Sequence, residues 1–247
     1  MKTQTVNIAL ANNKSLLPVP DYLQAHYWWA YVHPRAVRIF ERQWLVNLIL
    51  WGNYNRLCNA VLNSYDYHLP GSTLQIACAY GDLTPRLAAC VPSDGSLEIV
   101  DILKVQLDNL ASKMPLGVSA KLKQMDSSAL KMESARFDRA LLFFLLHEQP
   151  EAVRKKTLSE AIRVVRPGGI LTIVDYAPPI RFNPLRYLWC PILEILEPFA
   201  GDLFRHPIKT WLPDSVNLVL VGEQRFFGGL YQMLTLQVTE KDVMLID

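Results

Sequence analysis

A cationic surplus is nearly absent from this chain: Lys+Arg 25 against Asp+Glu 23 leaves a formal charge of +2 over 247 residues. Nothing in that balance neutralises a run of phosphates, so nucleic acid is not an expected partner. Cysteine is scarce too. Cys58, Cys78, Cys90 and Cys190 make no C-x-x-C pair, which fits a reducing compartment. No positively charged start leads into an apolar secretory segment. Apolar runs such as Leu45 to Trp51 and Leu141 to Leu146 stop far short of the roughly 18 residues that span a bilayer. What is present is a core. Apolar residues make up 51% of the chain and charged ones 19%, which excludes disorder and serves one elaborated domain or two small ones.

Residues up to about Pro20 show no sustained period and are expected as a loose arm. From Asp21 an aromatic cluster follows, with Tyr22, Tyr27, Trp28, Trp29 and Tyr31. Pro34 then opens the helical spacing Val37, Phe40, Trp44, Leu45, Leu48, which predicts a helical cap of two helices ending near Gly52. Between Thr73 and Val238, short apolar runs alternate with helical patterns, the signature of a parallel sheet covered on both faces. The expected strands are Thr73–Cys78, Leu97–Asp101, Ala120–Gln124, Arg139–Leu146 and Ile170–Asp175. Thr84-Pro85 reads as a helix cap, and Pro150 opens a helix with the apolar face Leu158, Ala161, Ile162, Val165, stopped at Pro167-Gly168-Gly169. Residues 177–213, rich in proline and carrying Phe182, Tyr187, Phe199 and Phe204, look like an inserted lid. Val216–Glu223 and Leu230–Val238 then predict an antiparallel hairpin. The expectation is thus an α/β Rossmann-like fold with a seven-stranded, mostly parallel sheet, the arm and cap at 1–66 and the main domain at 67–247.

In such a sheet the ligand lies beyond the carboxyl ends of the strands, near the point where strand order reverses. There the chain reads Gln75-Ile76-Ala77-Cys78-Ala79-Tyr80-Gly81-Asp82, where a nucleotide-binding loop normally offers glycines at the places of Ala77 and Ala79. Asp101 ends the next strand, the position from which a carboxylate accepts both ribose hydroxyls of an adenosine. Asp126-Ser127 follows the third strand in the same manner. His147-Glu148 and Asp175-Tyr176 stand at later strand ends; a strand-capping role weighs as much as a catalytic one for the first pair.

The segment from Phe137-Asp138-Arg139-Ala140 through His147-Glu148, then Leu158-Ser159-Glu160-Ala161-Ile162-Arg163 to Pro167-Gly168-Gly169-Ile170-Leu171, resembles the fourth strand, helix and fifth strand of class I S-adenosylmethionine-dependent methyltransferases of the quinone-biosynthesis type. That resemblance implies a cofactor site over Gln75, Ala77, Ala79, Gly81, Asp101, Ile102, Asp126, Ser127 and Phe143. The first loop departs from the pattern, which carries an acid in place of Gln75 and glycines in place of Ala77 and Ala79. With Tyr27-Trp28-Trp29-Ala30-Tyr31 and Ile49-Leu50-Trp51-Gly52-Asn53-Tyr54, these departures resemble the RquA family of rhodoquinone-biosynthesis proteins. That second resemblance implies replacement of a ring methoxy group of ubiquinone by an amino group, with S-adenosylmethionine as amino donor and Mn²⁺ as helper metal. Such chemistry needs a base and an electrophile, and the acids and phenols at strand ends are the candidates: Tyr80, His147, Glu148 and Tyr176 as catalytic groups and Asp82, Glu148 and Asp175 for the metal, with no metal-ligand spacing among them. A cytoplasmic protein touching the inner membrane peripherally is expected, because the substrate carries an isoprenoid tail. A quinone methyltransferase and a non-catalytic cofactor-binding protein remain the alternatives at this stage.

Overall fold

Five strands of one direction build the centre of the molecule, and each is an apolar segment delivered between helices: β2 (Gly71–Ile76), β3 (Gly95–Asp101), β4 (Ala120–Gln124), β5 (Phe137–Phe143) and β6 (Val165–Tyr176). The coordinates, a computed structural model, describe residues 8–10, 17–115, 117–118, 120–180, 182–214 and 216–239. Leu74, Ile76, Ile99, Leu141 and Ile173 are fully buried, as expected of strands covered on both faces. The final hairpin, β7 (Leu218–Phe226) and β8 (Tyr231–Val238), joins antiparallel to β6 through β8. The sheet expected from the sequence is therefore present.

It also has an eighth strand. Ile8–Leu10 forms β1, which pairs parallel with β4, giving the order β1-β4-β3-β2-β5-β6-β8-β7. The expected loose arm is thus tied down at this point, because its backbone pairs with the otherwise open edge of β4. The rest of that arm, residues 1–7 and 11–16, lies outside the described residues.

Two local expectations change. The helix after Pro150 ends at Val164, so Val165 already pairs with Phe137, and Pro167-Gly168-Gly169 form an irregularity inside β6 where the register breaks. Thr84 does not cap its helix: α5 (Leu83–Ala89) starts two residues earlier than Pro85, and the Thr84 hydroxyl donates to Gln75 Oε1 at 2.9 Å.

The cap is more broken than two helices. It contains α1 (Asp21–His26), a π turn at Trp28–Val32, α2 (Pro34–Phe40), α3 (Gln43–Ile49) and α4 (Tyr54–Ser64). Only α4 is part of the central packing along its length, with Tyr54, Leu57, Cys58, Val61 and Leu62 buried. Between β6 and β7, α8 (Leu185–Leu196) and α9 (Ala200–Arg205) form the expected insertion. Phe199 joins insertion and cap, its ring meeting those of Tyr22, His26 and Tyr27. α6 (Lys104–Lys113) and α7 (Glu151–Val164) complete the helical layers.

Candidate active site

Strand order reverses between β2 and β5, whose neighbours on the outer sides are β3 and β6. Their carboxyl-end loops, residues 77–82 and 144–148, therefore face a common crevice. Two hollows that share part of their lining occupy it. One is a narrow groove lined by Ala77, Cys78, Asp101, Ile102, Asp126, Ser127 and Gln149. The other is an apolar cavity of about 320 Å³ between cap, loop and insertion, lined among others by Trp29, Phe40, Leu45, Ile49, Tyr80, Phe143 and Leu196. Tyr31, Cys78, Phe144 and Glu148 line both.

Two carboxylates of the groove, Asp101 and Asp126, keep acceptor sites free. Asp101 accepts the Cys78 N–H at 2.8 Å on one oxygen and the Leu103 N–H at 2.8 Å on the other. A carboxylate has about four acceptor sites, so each oxygen retains one for a ribose hydroxyl. Burial pushes Asp101 up to about 6 while the Cys78 and Leu103 N–H groups hold it down. The Asp126 Oδ1 is taken by the N–H and hydroxyl of Ser128, both at 2.8 Å, and its second oxygen is available to an exocyclic amine. Replacing the charged acceptor by Asp101→Asn is expected to weaken S-adenosylhomocysteine binding by about 1.5–3 kcal/mol, read by calorimetry. The wild-type affinity should fall as pH drops through about 6, since protonation removes the same acceptor.

The methionine end of the groove is unusual. Gln75 is fully buried and neutral, its amide donating to the Ala77 carbonyl at 3.0 Å. Ala77 holds φ 70, a left-handed conformation that favours glycine. Gly81 retains φ +81, and a side chain there would run into the Tyr54 phenol. Its N–H donates to Glu41 Oε1 at 3.1 Å, and Lys113 binds that carboxylate at 2.5 Å and the Gly81 carbonyl at 2.6 Å. A carboxylate from the cap thus occupies a loop N–H. Neither Glu41 nor Lys113 was singled out from the sequence, where Glu41 is one acid among arginines.

At the junction of groove and cavity stands an acid–imidazole cluster. Asp175 is wholly buried at the end of β6, accepting from the Leu146 N–H at 2.8 Å and the Tyr176 N–H at 2.8 Å. Its Oδ1 faces His147 Nδ1 at 2.9 Å. An acceptor there fixes the proton on Nδ1 and turns Nε2 toward Glu148 at 3.8 Å and Glu197 at 3.7 Å. Burial lowers the affinity of His147 for a proton, but Asp175 and Glu197 outweigh it and raise the imidazole. Burial raises Glu148 against the opposing pull of His147, and raises Glu197 likewise. His147, Glu148 and Glu197, each raised above its ordinary range, thus form a group of proton-exchanging side chains next to the cavity. Tyr31 lies against Glu148 and Tyr176 against Glu197.

Arg154 holds this cluster in place. The side chain is fully buried, donating to the carbonyls of Leu146 at 2.9 Å, Gln149 at 2.9 Å and Phe199 at 3.0 Å, with Asp202 at 3.2 Å and the Trp211 ring at 4.4 Å. The turn carrying His147-Glu148 and the insertion carrying Glu197 are thus fastened to one guanidinium.

The catalytic candidates do not all gather. His147, Glu148 and Tyr176 adjoin, whereas the Tyr80 hydroxyl is spent, donating to the Ala30 carbonyl at 2.7 Å and accepting from Gln106 at 2.8 Å. The Tyr80 ring, stacked on Tyr31, is a wall of the cavity that ties cap to loop. Glu197 and Tyr31 are additions; the only trace of Glu197 in the sequence is an acid inside the apolar run Ile192-Leu193-Glu194-Ile195-Leu196-Glu197.

The metal candidates require correction. Asp82 is engaged by the Tyr54 hydroxyl at 3.1 Å and Gln43 at 3.3 Å, while Asp175 is consumed by two N–H groups and His147. Among the described residues no three His, Cys, Asp or Glu side chains are grouped to hold a metal ion. The donor set does not fit a Mn²⁺ centre, because Asp82 and Asp175 are held by the protein and Glu148 is not joined by the further oxygen donors that a hard divalent cation needs.

Comparison with known proteins agrees with this geometry. The family described as "Methyltransferase domain" matches residues 73–169. The ubiquinone/menaquinone biosynthesis C-methyltransferase UbiE of Ectopseudomonas mendocina (strain ymp) is 31% identical over 182 residues, 70% of this chain and 69% of that protein. The chain belongs to the class I S-adenosylmethionine-dependent methyltransferase family. UbiE of Marinomonas sp. (strain MWYL1) is 29% identical over 205 residues, 77% of this chain and 80% of its own length. In fold, this methyltransferase-family chain is similar to an O-methyltransferase family protein from Burkholderia thailandensis, with a TM-score of 0.62 at 16% identity over 84% of this chain and 61% of that one. It is likewise similar to the N-methyltransferase NodS from Bradyrhizobium japonicum WM9 in complex with S-adenosyl-L-homocysteine, with a TM-score of 0.55 at 11% identity over 90% and 100%.

Proposed function

We propose that the chain acts on ubiquinone with S-adenosylmethionine and replaces a ring methoxy group by an amino group, the exchange that yields rhodoquinone. One observation carries the reading: a carboxyl–imidazole cluster, Glu148 with His147 and Glu197, lies where the groove and the apolar cavity share their lining. Its size suits a substituted quinone ring. The neutral Gln75 amide in place of an acid supports the amino outcome, since no carboxylate at that position stabilises the cofactor amine as an ammonium ion.

S-adenosylmethionine supplies the α-amino nitrogen in this reading. Glu148 accepts the proton released as the nitrogen joins the methoxy-bearing ring carbon. His147, oriented by Asp175, and Glu197 hold that proton until it leaves with methoxide as methanol. Freeing the nitrogen would break its bond to the methionine carbon. The two electrons of the Cα–H bond and two protons, one from that carbon and one from the nitrogen, would pass to the quinone, and water would supply the oxygen of the 2-oxo acid and the two hydrogens of the amine. The products are an aminohydroquinone and a 2-oxo acid, so electrons balance without an outside oxidant. Tyr31 and Tyr176 orient the carboxyls, and the aromatic walls exclude water.

The named UbiE relatives favour a second reading, C-methylation of a quinone ring in the same cavity with Glu148 as base. Incubation with ubiquinone and S-adenosylmethionine separates the two by mass. Amino-for-methoxy exchange lowers the mass of the quinone and methylation raises it.

A further inference from the structure

The described residues contain no helix long and apolar enough to cross a membrane, yet the cap turns a set of large apolar side chains outward. On α3, Val46 is buried and Leu45 and Ile49 line the cavity, while Trp44 is 62% and Leu48 65% exposed. Trp44 and Leu48 are one helical turn apart and share a face. Trp28, Trp29, Ile39 and Trp51, each at least 44% exposed, extend this outward set. Trp29 also lines the cavity, so its mouth opens beside them. Leu196 of α8, half exposed, lines the cavity from the insertion side.

The charge of this region has one sign. Arg35, Arg38 and Arg42 are exposed along α2 and just beyond it, and no ion pair to them occurs among the described residues. The one acid between them, Glu41, is turned inward onto Lys113 and Gly81. A second copy of the chain on this face would bring arginines against arginines. Half-exposed indoles mixed with arginines, on helices too short to insert, are instead the composition of a surface that lies in a lipid interface.

We propose that the outward face of α2 and α3 docks on an anionic lipid bilayer, with the mouth of the apolar cavity opening at the lipid surface. Docking there deepens the proposed function, on which it rests only in naming the bilayer as the source from which the ring enters.

The test uses the full chain and vesicles containing no quinone, so that docking and chemistry fail separately. Sedimentation with vesicles of phosphatidylglycerol and phosphatidylcholine is compared with phosphatidylcholine alone. Binding is expected to the anionic vesicles, falling by about tenfold or more in high salt. Trp44→Ser with Leu48→Ser should weaken it by at least about tenfold, leaving melting temperature and S-adenosylhomocysteine affinity unchanged. Arg35→Gln with Arg38→Gln and Arg42→Gln should abolish the preference for anionic lipid. The proposal is overturned by absence of binding, by equal binding to both vesicle types, or by wild-type binding of the Trp44 and Leu48 variant. It is overturned equally if those substitutions dissolve a dimer seen by sedimentation velocity in lipid-free solution, which would make the occupant a second copy. Vesicle binding without any change to ubiquinone would instead refute the chemistry and leave docking in place.

Discussion

Glu148→Gln should reduce turnover by about 10²–10⁴-fold, the usual contribution of a positioned proton acceptor, while leaving S-adenosylhomocysteine affinity within about threefold of wild type. The separation follows from where the group lies: Glu148 lines both groove and cavity, whereas the proposed nucleoside contacts are those of Asp101 and Asp126 in the groove alone. The amide keeps volume and a hydrogen-bonding partner for Tyr31 but cannot take a proton. In the wild-type protein, burial raises Glu148 to about 8, against the lowering pull of His147. The base form therefore accumulates as pH rises toward that value, and kcat/KM should rise with it. The variant should lose this alkaline rise, which pH profiles of the two proteins would display. Equal turnover and an unchanged profile would remove Glu148 from the chemistry.

The largest stability effect is expected at Arg154. Arg154→Leu leaves the Leu146, Gln149 and Phe199 carbonyls without their donor and Asp202 without its cation. Breaking a buried charged network from one side costs about 3–5 kcal/mol, which for a chain of this size lowers Tm by roughly 6–20 °C. Function should suffer beyond stability, because the His147-Glu148 turn and the Glu197 segment lose their common anchor. Below its new Tm the variant should show turnover reduced by about tenfold or more, with cofactor affinity retained. Thermal melts with paired calorimetry check both halves. A Tm within about 2 °C of wild type would show that the guanidinium carries little of this load.

Much of this was legible in the sequence, and the limits have physical reasons. Strand–helix alternation and strand-end acids placed Asp101, Asp126, His147, Glu148 and Asp175 in one crevice, because a parallel sheet puts all its carboxyl ends on one side. β1 was not visible, since three residues give no period. The broken cap was read as two helices because Trp44, Leu45 and Leu48 repeat helically although they face solvent and cavity. Glu197, Glu41 and Lys113 come from segments distant in sequence, and only packing of the insertion and the cap reveals what they touch. Asp82 and Asp175 carry the right chemistry for a metal, but their hydrogen bonds to Tyr54 and to His147 and the Leu146 N–H spend it on structure.

The central claim is that the nitrogen of S-adenosylmethionine, not its methyl carbon, reaches the ring. The most direct measurement supplies ubiquinone and S-adenosylmethionine labelled with ¹⁵N at the α-amino group and ¹³C at the sulfonium methyl, followed by mass analysis of the extracted quinone. The account predicts a quinone that has gained ¹⁵N, lost one methoxy group and taken up no ¹³C. A quinone carrying ¹³C and no ¹⁵N contradicts it and makes the chain a quinone methyltransferase.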